Sequence, residues 1–393
     1  MSKITEKDIV RVNAHLHTPY SFSAFDSIAQ ALDMAAEEGV KVVGINDFYT
    51  TDGYAKWKQE CAKRHLFPLY NIEFISLQAE DQANGIRVND PNNPGRTYMS
   101  GKGLCNPTVL TEPYKTQFES VKNESNHHVE KMCAKLNEIL ENVNAGFSLD
   151  VEQIKRDLTK GSLRERHLAK ALRLVVYEKA ENNPTQISAL LEKIFGGKSV
   201  NSDLNNYAAL ENEIRNNLLK AGGGAFVPED PKAFLPLTDV CKIILNTGGI
   251  PTYPFLADDA NGNFTDFEND VEKAAATLKE RGIYSVEFIT TRNSVEVLEK
   301  YAGYLHDNGF VVTFGSEHNT PAMEPIELKA RGNTPLTDKL MRINYEGACV
   351  VAAHQDKVAK GEAGYVDADG KADPARRDEF IEYGNQLIQA AIR

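Results

Sequence analysis

The chain has little cysteine. Five residues in 393, Cys61, Cys105, Cys133, Cys241 and Cys349, lie far apart and form no Cys-x-x-Cys pair. That excludes a disulfide framework and a zinc-thiolate site, and it fits free thiols in a reducing compartment. Long hydrophobic runs are also absent. No stretch approaches the ~20 apolar residues that cross a bilayer, and the opening MSKITEKDIV has none of the apolar character of a secretory signal. A soluble, cytoplasmic protein without a membrane partner is expected. Basic residues are outnumbered, 44 Lys and Arg against 56 Asp and Glu, for a net charge of −12. A general nucleic-acid binder carries a basic face, so that class is set aside, while a local basic pocket for a small phosphorylated molecule is not. No short-period repeat is visible, and the heptads of the helical stretches are too imperfect for a coiled coil.

What is present is an α/β rhythm. Residues 9–15, 40–46 and 69–77 read as strands rich in β-branched and apolar residues, and residues 27–38 and 54–65 as the helices between them. In the first helix Ile28, Ala31, Leu32 and Ala35 form one apolar face, with Asp26 or Ser27 as its N-cap and Gly39 at its end. Alternating strand and helix is the pattern of a parallel α/β architecture. Residues 79–115 break it with Asn, Gly, Pro and Asp and read as a long loop near the mouth of the fold. Residues 116–223 read as a polar helical insertion closed by Gly222, Gly223 and Gly224. Strands then return near residues 250–256, 283–290 and 310–318, with helices between them. One of these helices has Asn293 and Glu296 placed as a variant capping box. Residues 331–393 read as a C-terminal helical region. The chain thus divides into a first barrel part (residues 1–78), the loop, the insertion, a second barrel part (residues 224–330) and the C-terminal region.

Parallel α/β folds carry their chemistry at the C-terminal ends of strands. The first strand ends in His15 and His17, two apart and therefore on one face. Paired imidazoles suit a divalent metal. The other ends offer Asp47 and Phe48, then Glu73, then Tyr253 and Phe255, then Glu287, then Glu317 and His318. Charged groups at the ends of buried strands are costly unless paired or metal-bound. This nitrogen and carboxylate set, without sulfur, fits zinc, manganese or iron.

In order, "AHLHTPYS", "VVGINDF", "NIEF", "GGIPTYPF", "VEFI" and "FGSEHN" resemble the motifs of the PHP (polymerase and histidinol phosphatase) superfamily over roughly residues 8–78 and 225–325. The resemblance implies a distorted seven-stranded TIM-like (β/α) barrel, a metal cluster at its C-terminal mouth, and phosphoester hydrolysis. It maps one metal site onto His15, His17, Glu73 and Glu317. The departures matter as much. Phe48 stands where the family has the histidine of Thr-Asp-His. Phe255, or Tyr253 if the alignment slips, stands at the histidine of Ala-His-Pro. The late motif reads Glu317-His318-Asn319, with Asn319 in the usual histidine place. A reduced cluster of one or two ions follows, with His127 and His128, or His354, as the candidates to restore a ligand from outside the barrel.

The leading expectation is a metal-dependent phosphoesterase acting on a small phosphorylated molecule. Asp47 or His318 would serve as acid or base toward the attacking water. Arg96 and Lys102 on the long loop and Arg292 after the fifth strand would hold the substrate anion. The alternative is a barrel that has lost hydrolysis and binds a sugar or nucleotide, with Phe48, Tyr253 and Phe255 as stacking surfaces. A third reading puts amide hydrolysis or aldose–ketose isomerisation on the same metal. The insertion would either cover the mouth or mediate self-association.

Overall fold

The computed structural model describes residues 4–393. One seven-stranded sheet runs in chain order: β1 (Arg11–Leu16), β2 (Val40–Phe48), β3 (Phe67–Leu77), β4 (Arg96–Lys102), β5 (Ile250–Phe255), β6 (Ser285–Ile289) and β7 (Val311–Gly315). Neighbours pair in parallel, except that β4 is antiparallel to both β3 and β5. The two edges meet just beyond β1 and β7. There the His17 amide donates to the Glu317 carbonyl at 2.8 Å and the Glu317 amide donates to the His15 carbonyl at 3.0 Å. The result is a nearly closed, TIM-like barrel.

Helices α1 (Ile28–Glu37) and α2 (Tyr54–Lys63) follow the first two strands. Ser27 caps α1 by accepting from the Gln30 amide, and Ile28, Ala31, Leu32 and Ala35 are its buried face. Burying each large side chain of such a face stabilises by about 1.5–3 kcal/mol. Glycine is required at Gly44 in β2, where a Cβ would lie 2.4 Å from the Ala14 carbonyl oxygen of the neighbouring strand.

The segment read as a long loop, residues 79–115, contains a short helix, α3 (Ala79–Ala83), and all of β4. The strand escapes hydrophobic pattern-reading because the side chains it sends into the barrel, Ser100 and Lys102, are polar and yet fully buried. Helices α4 (Tyr114–Asn142), α5 (Val151–Leu158), α6 (Glu165–Lys179), α7 (Pro184–Ile194) and α8 (Tyr207–Leu218) then form the insertion, around a hydrophobic cluster of their own. The second half of the barrel carries α9 (Leu237–Asn246), α10 (Val271–Glu280) and α11 (Val295–Asp307). The cap of α11 is Ser294, which accepts from the Val297 amide. Asn293 instead donates to the Leu256 and Asp258 carbonyls, so the expected box does not form.

Helices α12 (Asp338–Ala359) and α13 (Arg377–Ala391) share a buried cluster with Val12, Val42, Leu69, Ile250 and Val311, all from the first halves of their strands. They therefore close the N-terminal end of the barrel and leave the C-terminal end as the mouth. Among the described residues no helix is long and apolar enough to cross a membrane.

Candidate metal centre

The end of β1 sends His15 and His17 into the barrel and β3 brings Glu73 to meet them, while Asn13, before an irregularity in the strand, bonds Ser316 Oγ and the Ile326 carbonyl instead. His15 Nε2 and His17 Nε2 lie 3.2 Å apart. Glu73 Oε2 is 3.1 Å from His17 Nε2 and 3.6 Å from His15 Nε2. All three residues are almost completely buried.

The outer nitrogens fix the tautomers. His15 Nδ1 is 3.0 Å from Glu287 Oε2, and only its N–H can make that bond. His17 Nδ1 is 3.2 Å from Ser21 Oγ, whose hydroxyl donates to Asp47 Oδ1 at 2.6 Å and so is left to accept. Two Nε2 lone pairs and a carboxylate oxygen then face one point. Glu73 Oε2 is in fact buried without a hydrogen-bond partner, although His17 Nε2 is close. Such a cluster of acceptors requires a cation. Donor atoms that share an ion at about 2.1 Å stand roughly 3.0–3.4 Å apart at tetrahedral or octahedral angles. Two of the three separations, 3.1 and 3.2 Å, fall in that range and the third, 3.6 Å, is slightly longer, so the residues present suit a divalent metal after a small closing movement of Glu73 toward His15.

A second ring of buried polar groups supports the triad. Lys102 Nζ is 2.6 Å from Glu287 Oε2, 3.1 Å from Asn46 Oδ1 and 3.2 Å from the Ala14 carbonyl. Ser100 donates to the other Glu287 oxygen. Asn46 Nδ2 straddles the His15 ring at 3.2 and 3.0 Å from its two nitrogens. Burial disfavours an imidazolium at His15, but Glu287 and Glu73 outweigh it and raise the His15 pKa to about 9. Burial likewise works against the Glu73 carboxylate, yet the two histidines hold it down at about 2. Without a metal, a proton shared among these groups supplies the cation. Burial lowers the Lys102 pKa and Glu287 opposes that shift.

The other predicted site residues divide. Glu317 lies at the mouth, but its carboxylate is held by Arg292 at 2.6 Å and by Asn319 at 3.0 Å, outside the triad. Asp47 accepts from the Thr18 amide at 2.7 Å, from the Thr18 hydroxyl at 2.5 Å and from Ser21, and burial raises its pKa. It orients His17 through Ser21 rather than facing the mouth. His318 is spent on Ser316 Oγ at 2.8 Å and the Glu324 carbonyl at 2.9 Å, and it stacks on Phe25. Neither has a free atom for an attacking water. Lys102 points into the barrel, not out to a ligand, and is corrected from a substrate cation to the partner of Glu287. Tyr253 points the other way, toward the outer helices, and donates to Glu268 at 2.7 Å. Phe255 packs on Phe288 in the same layer and only edges the cavity. These two do not form an open stacking surface. Phe48 does face the mouth, stacked on His17 with ring centres 5.1 Å apart. His354 is buried under the barrel with both nitrogens bonded, His127 is exposed beside Glu130, and His128 faces the Val227 carbonyl. None of them reaches the triad.

Above the triad lies a cavity of about 860 Å³, walled by the barrel mouth on one side and the insertion on the other. Arg96 and Arg292 line it as expected, though each is paired, Arg96 with Glu229 and Asp90, and Arg292 with Glu317. The pattern of the sequence left out its other cations, Arg164, Arg166, Arg215 and Lys220. They sit on helices that read as solvated, and only the fold turns them toward a site about 150 residues earlier in the chain.

No family model matches the chain, and no curated protein matches it in sequence. Solved structures do match in shape. An amidohydrolase from Chromobacterium violaceum, with bound sulfate and no metal, aligns over 85% of this chain and 96% of its own, with a TM-score of 0.51 and 14% identity. A protein assigned by inference as a metal-dependent phosphoesterase, from Bifidobacterium adolescentis, aligns over 85% and 94%, with a TM-score of 0.51 and 15% identity. At such identity the likeness is one of fold.

Proposed function

We propose that the chain is a metal-dependent hydrolase of PHP type that cleaves a phosphoester of a small molecule in the cavity above His15, His17 and Glu73. The observation that carries this reading is the convergence of the His15 and His17 Nε2 atoms, whose rings each have Nδ1 engaged by an outer partner, on a buried Glu73 oxygen that has no hydrogen-bond partner. His15 Nε2, His17 Nε2 and Glu73 would hold one divalent ion, zinc, manganese or iron. When bound, it would polarise a phosphoryl oxygen and acidify a water. Glu287 holds the Nδ1 proton of His15, and Ser21 with Asp47 holds that of His17, so both rings keep their inward tautomers. Phe48 and the insertion shelter the site from bulk solvent. The fold relatives support the reading, since one is assigned as a metal-dependent phosphoesterase and another holds sulfate, an oxyanion shaped like phosphate.

A second reading, a barrel that binds a ligand without turnover, is favoured by one fact: the expected acid–base groups Asp47 and His318 are both fully engaged. Turnover separates the two. The hydrolase hydrolyses p-nitrophenyl phosphate with added manganese, and His17→Ala abolishes that activity. Activity that survives His17→Ala, or none from metal-loaded wild type across a phosphoester panel, contradicts the proposal. Ligand-induced stabilisation without turnover selects the binding reading.

A further inference from the structure

The insertion's wall of the cavity gathers three arginines and a lysine, Arg164, Arg166, Arg215 and Lys220, around one carboxylate, Glu165. Glu165 is committed to Arg215 at 2.8 Å and Lys220 at 3.5 Å. Among the described residues Arg164 and Arg166 make no ion pair. Arg164 reaches only Ser125 Oγ at 3.5 Å, and Arg166 donates to Asn212 Oδ1 at 3.0 Å. Both are half-buried. Two unpaired guanidinium groups, two residues apart on a cavity wall, are a costly arrangement in a chain of net charge −12. A carboxylate would ordinarily be expected beside each. Burial and the neighbouring Arg215 and Arg164 cations pull the Arg166 pKa down to about 10 against the opposing pull of Glu165 and Glu317, a sign of positive potential that these carboxylates only partly offset.

Aromatic rings aim these groups. The Arg164 guanidinium lies over Phe48, 4.6 Å from the ring centre, and Phe48 itself stacks on His17. Arg166 lies 5.7 Å from the centre of Phe22. Phe48 occupies the end of β2, where the resemblance places a metal-ligating histidine. There it forms a shelf between His17 and the Arg164 guanidinium.

We infer that the insertion supplies the anion-binding half of the site: Arg164 and Arg166 clamp an oxyanion of the ligand, a phosphoryl or pyrophosphoryl group, across the cavity from His15, His17 and Glu73. Guanidinium suits this role because its planar fork donates two parallel hydrogen bonds to such oxygens. The inference deepens the hydrolase reading and rests on it for the ligand's class, but anion binding needs no turnover. The cavity of about 860 Å³ far exceeds one phosphate, so the oxyanion is carried on a larger molecule.

The test is calorimetric titration of the metal-stripped full chain with pyrophosphate and with inorganic phosphate, for wild type, Arg164→Met, Arg166→Met and Arg164→Lys. Wild type binds, and added salt weakens the binding. Each Met variant weakens it about ten- to hundredfold, and Arg164→Lys falls between. In unsubstituted protein, pyrophosphate also protects Arg164 and Arg166 from phenylglyoxal, read by mass spectrometry, so the conclusion does not depend on a variant that fails to fold. Absence of wild-type binding, binding indifferent to both Met substitutions, or protection elsewhere overturns the inference. Arginine-dependent binding without phosphoester turnover would retire the hydrolase reading and keep the anion site. Turnover with arginine-independent binding would do the reverse.

Discussion

Replacing Lys102 with methionine tests whether this residue belongs to the barrel or to the substrate. Its ammonium is 2.6 Å from Glu287 Oε2, and both side chains are essentially inaccessible to water. Methionine keeps the length of the stem and removes the charge, so Glu287 stays buried with His15 as its remaining ionic partner. Removing one member of a buried pair typically costs about 3–5 kcal/mol, a third or more of a stability of ~5–15 kcal/mol. Glu287→Gln alone strands Lys102 in the same way. The double variant strands neither, because the amide introduced by Glu287→Gln can still bond Ser100 and His15. The double variant should therefore be more stable than the sum of the single losses by at least about 2 kcal/mol. Urea unfolding of the metal-stripped proteins, followed by circular dichroism, measures all four corners. A Lys102→Met loss under about 1 kcal/mol, or strictly additive losses, would refute this reasoning. So would a rise in KM with stability unchanged, which would return Lys102 to the substrate.

Three further outcomes follow from the same contacts. The metal-free His15 pKa of about 9 lies above the ordinary 6.5, so its contribution is complete below pH 6.5 and is lost as pH rises through 9. Urea unfolding across that window should show a fall of up to about 3 kcal/mol that His15→Asn flattens, and a flat wild-type profile would contradict the assignment. Glu317→Gln should weaken metal binding less than about tenfold, because Glu317 is held by Arg292, whereas His17→Ala abolishes binding; equal losses would make Glu317 a full ligand. Gly384→Ala should destabilise by about 1–3 kcal/mol in thermal melts, because the new Cβ would lie 1.9 Å from the Cys349 carbonyl oxygen and push α13 off α12. An unchanged Tm would show that this closure of the barrel is looser than described.

Much of the barrel could be read from hydrophobic period. Six of its strands are apolar runs, and most of the helices between them end in glycine, as at Gly39, Gly248, Gly282 and Gly309, whereas His65 takes that place after α2. His15, His17 and Glu73 were visible as polar residues at the ends of such runs. β4 was not, because its inward residues Ser100 and Lys102 belong to a polar lumen, and a strand whose buried face is polar carries no apolar alternation. The same lumen explains Glu287. Its place in "VEFI" was plain, but its role depends on Lys102, nearly two hundred residues earlier, which only the antiparallel strand brings to it. Asp47 and His318 sit at strand ends as expected, yet the turns after β1 and β7 absorb their hydrogen bonds, and no spacing rule reveals that. Tyr253 and Phe255 share one face of β5, and that face meets the helix layer. Arg164 and Arg166 lie on the insertion, whose orientation over the mouth is a tertiary fact.

The central claim is that His15, His17 and Glu73 form a metal site. Elemental analysis of untagged protein, wild type beside the His15→Ala/His17→Ala double variant, tests it most directly. The account predicts about one equivalent of zinc, manganese or iron in the wild type and none in a double variant that is still folded. A wild type that holds no metal even after soaking, or a double variant that keeps it, would contradict the account.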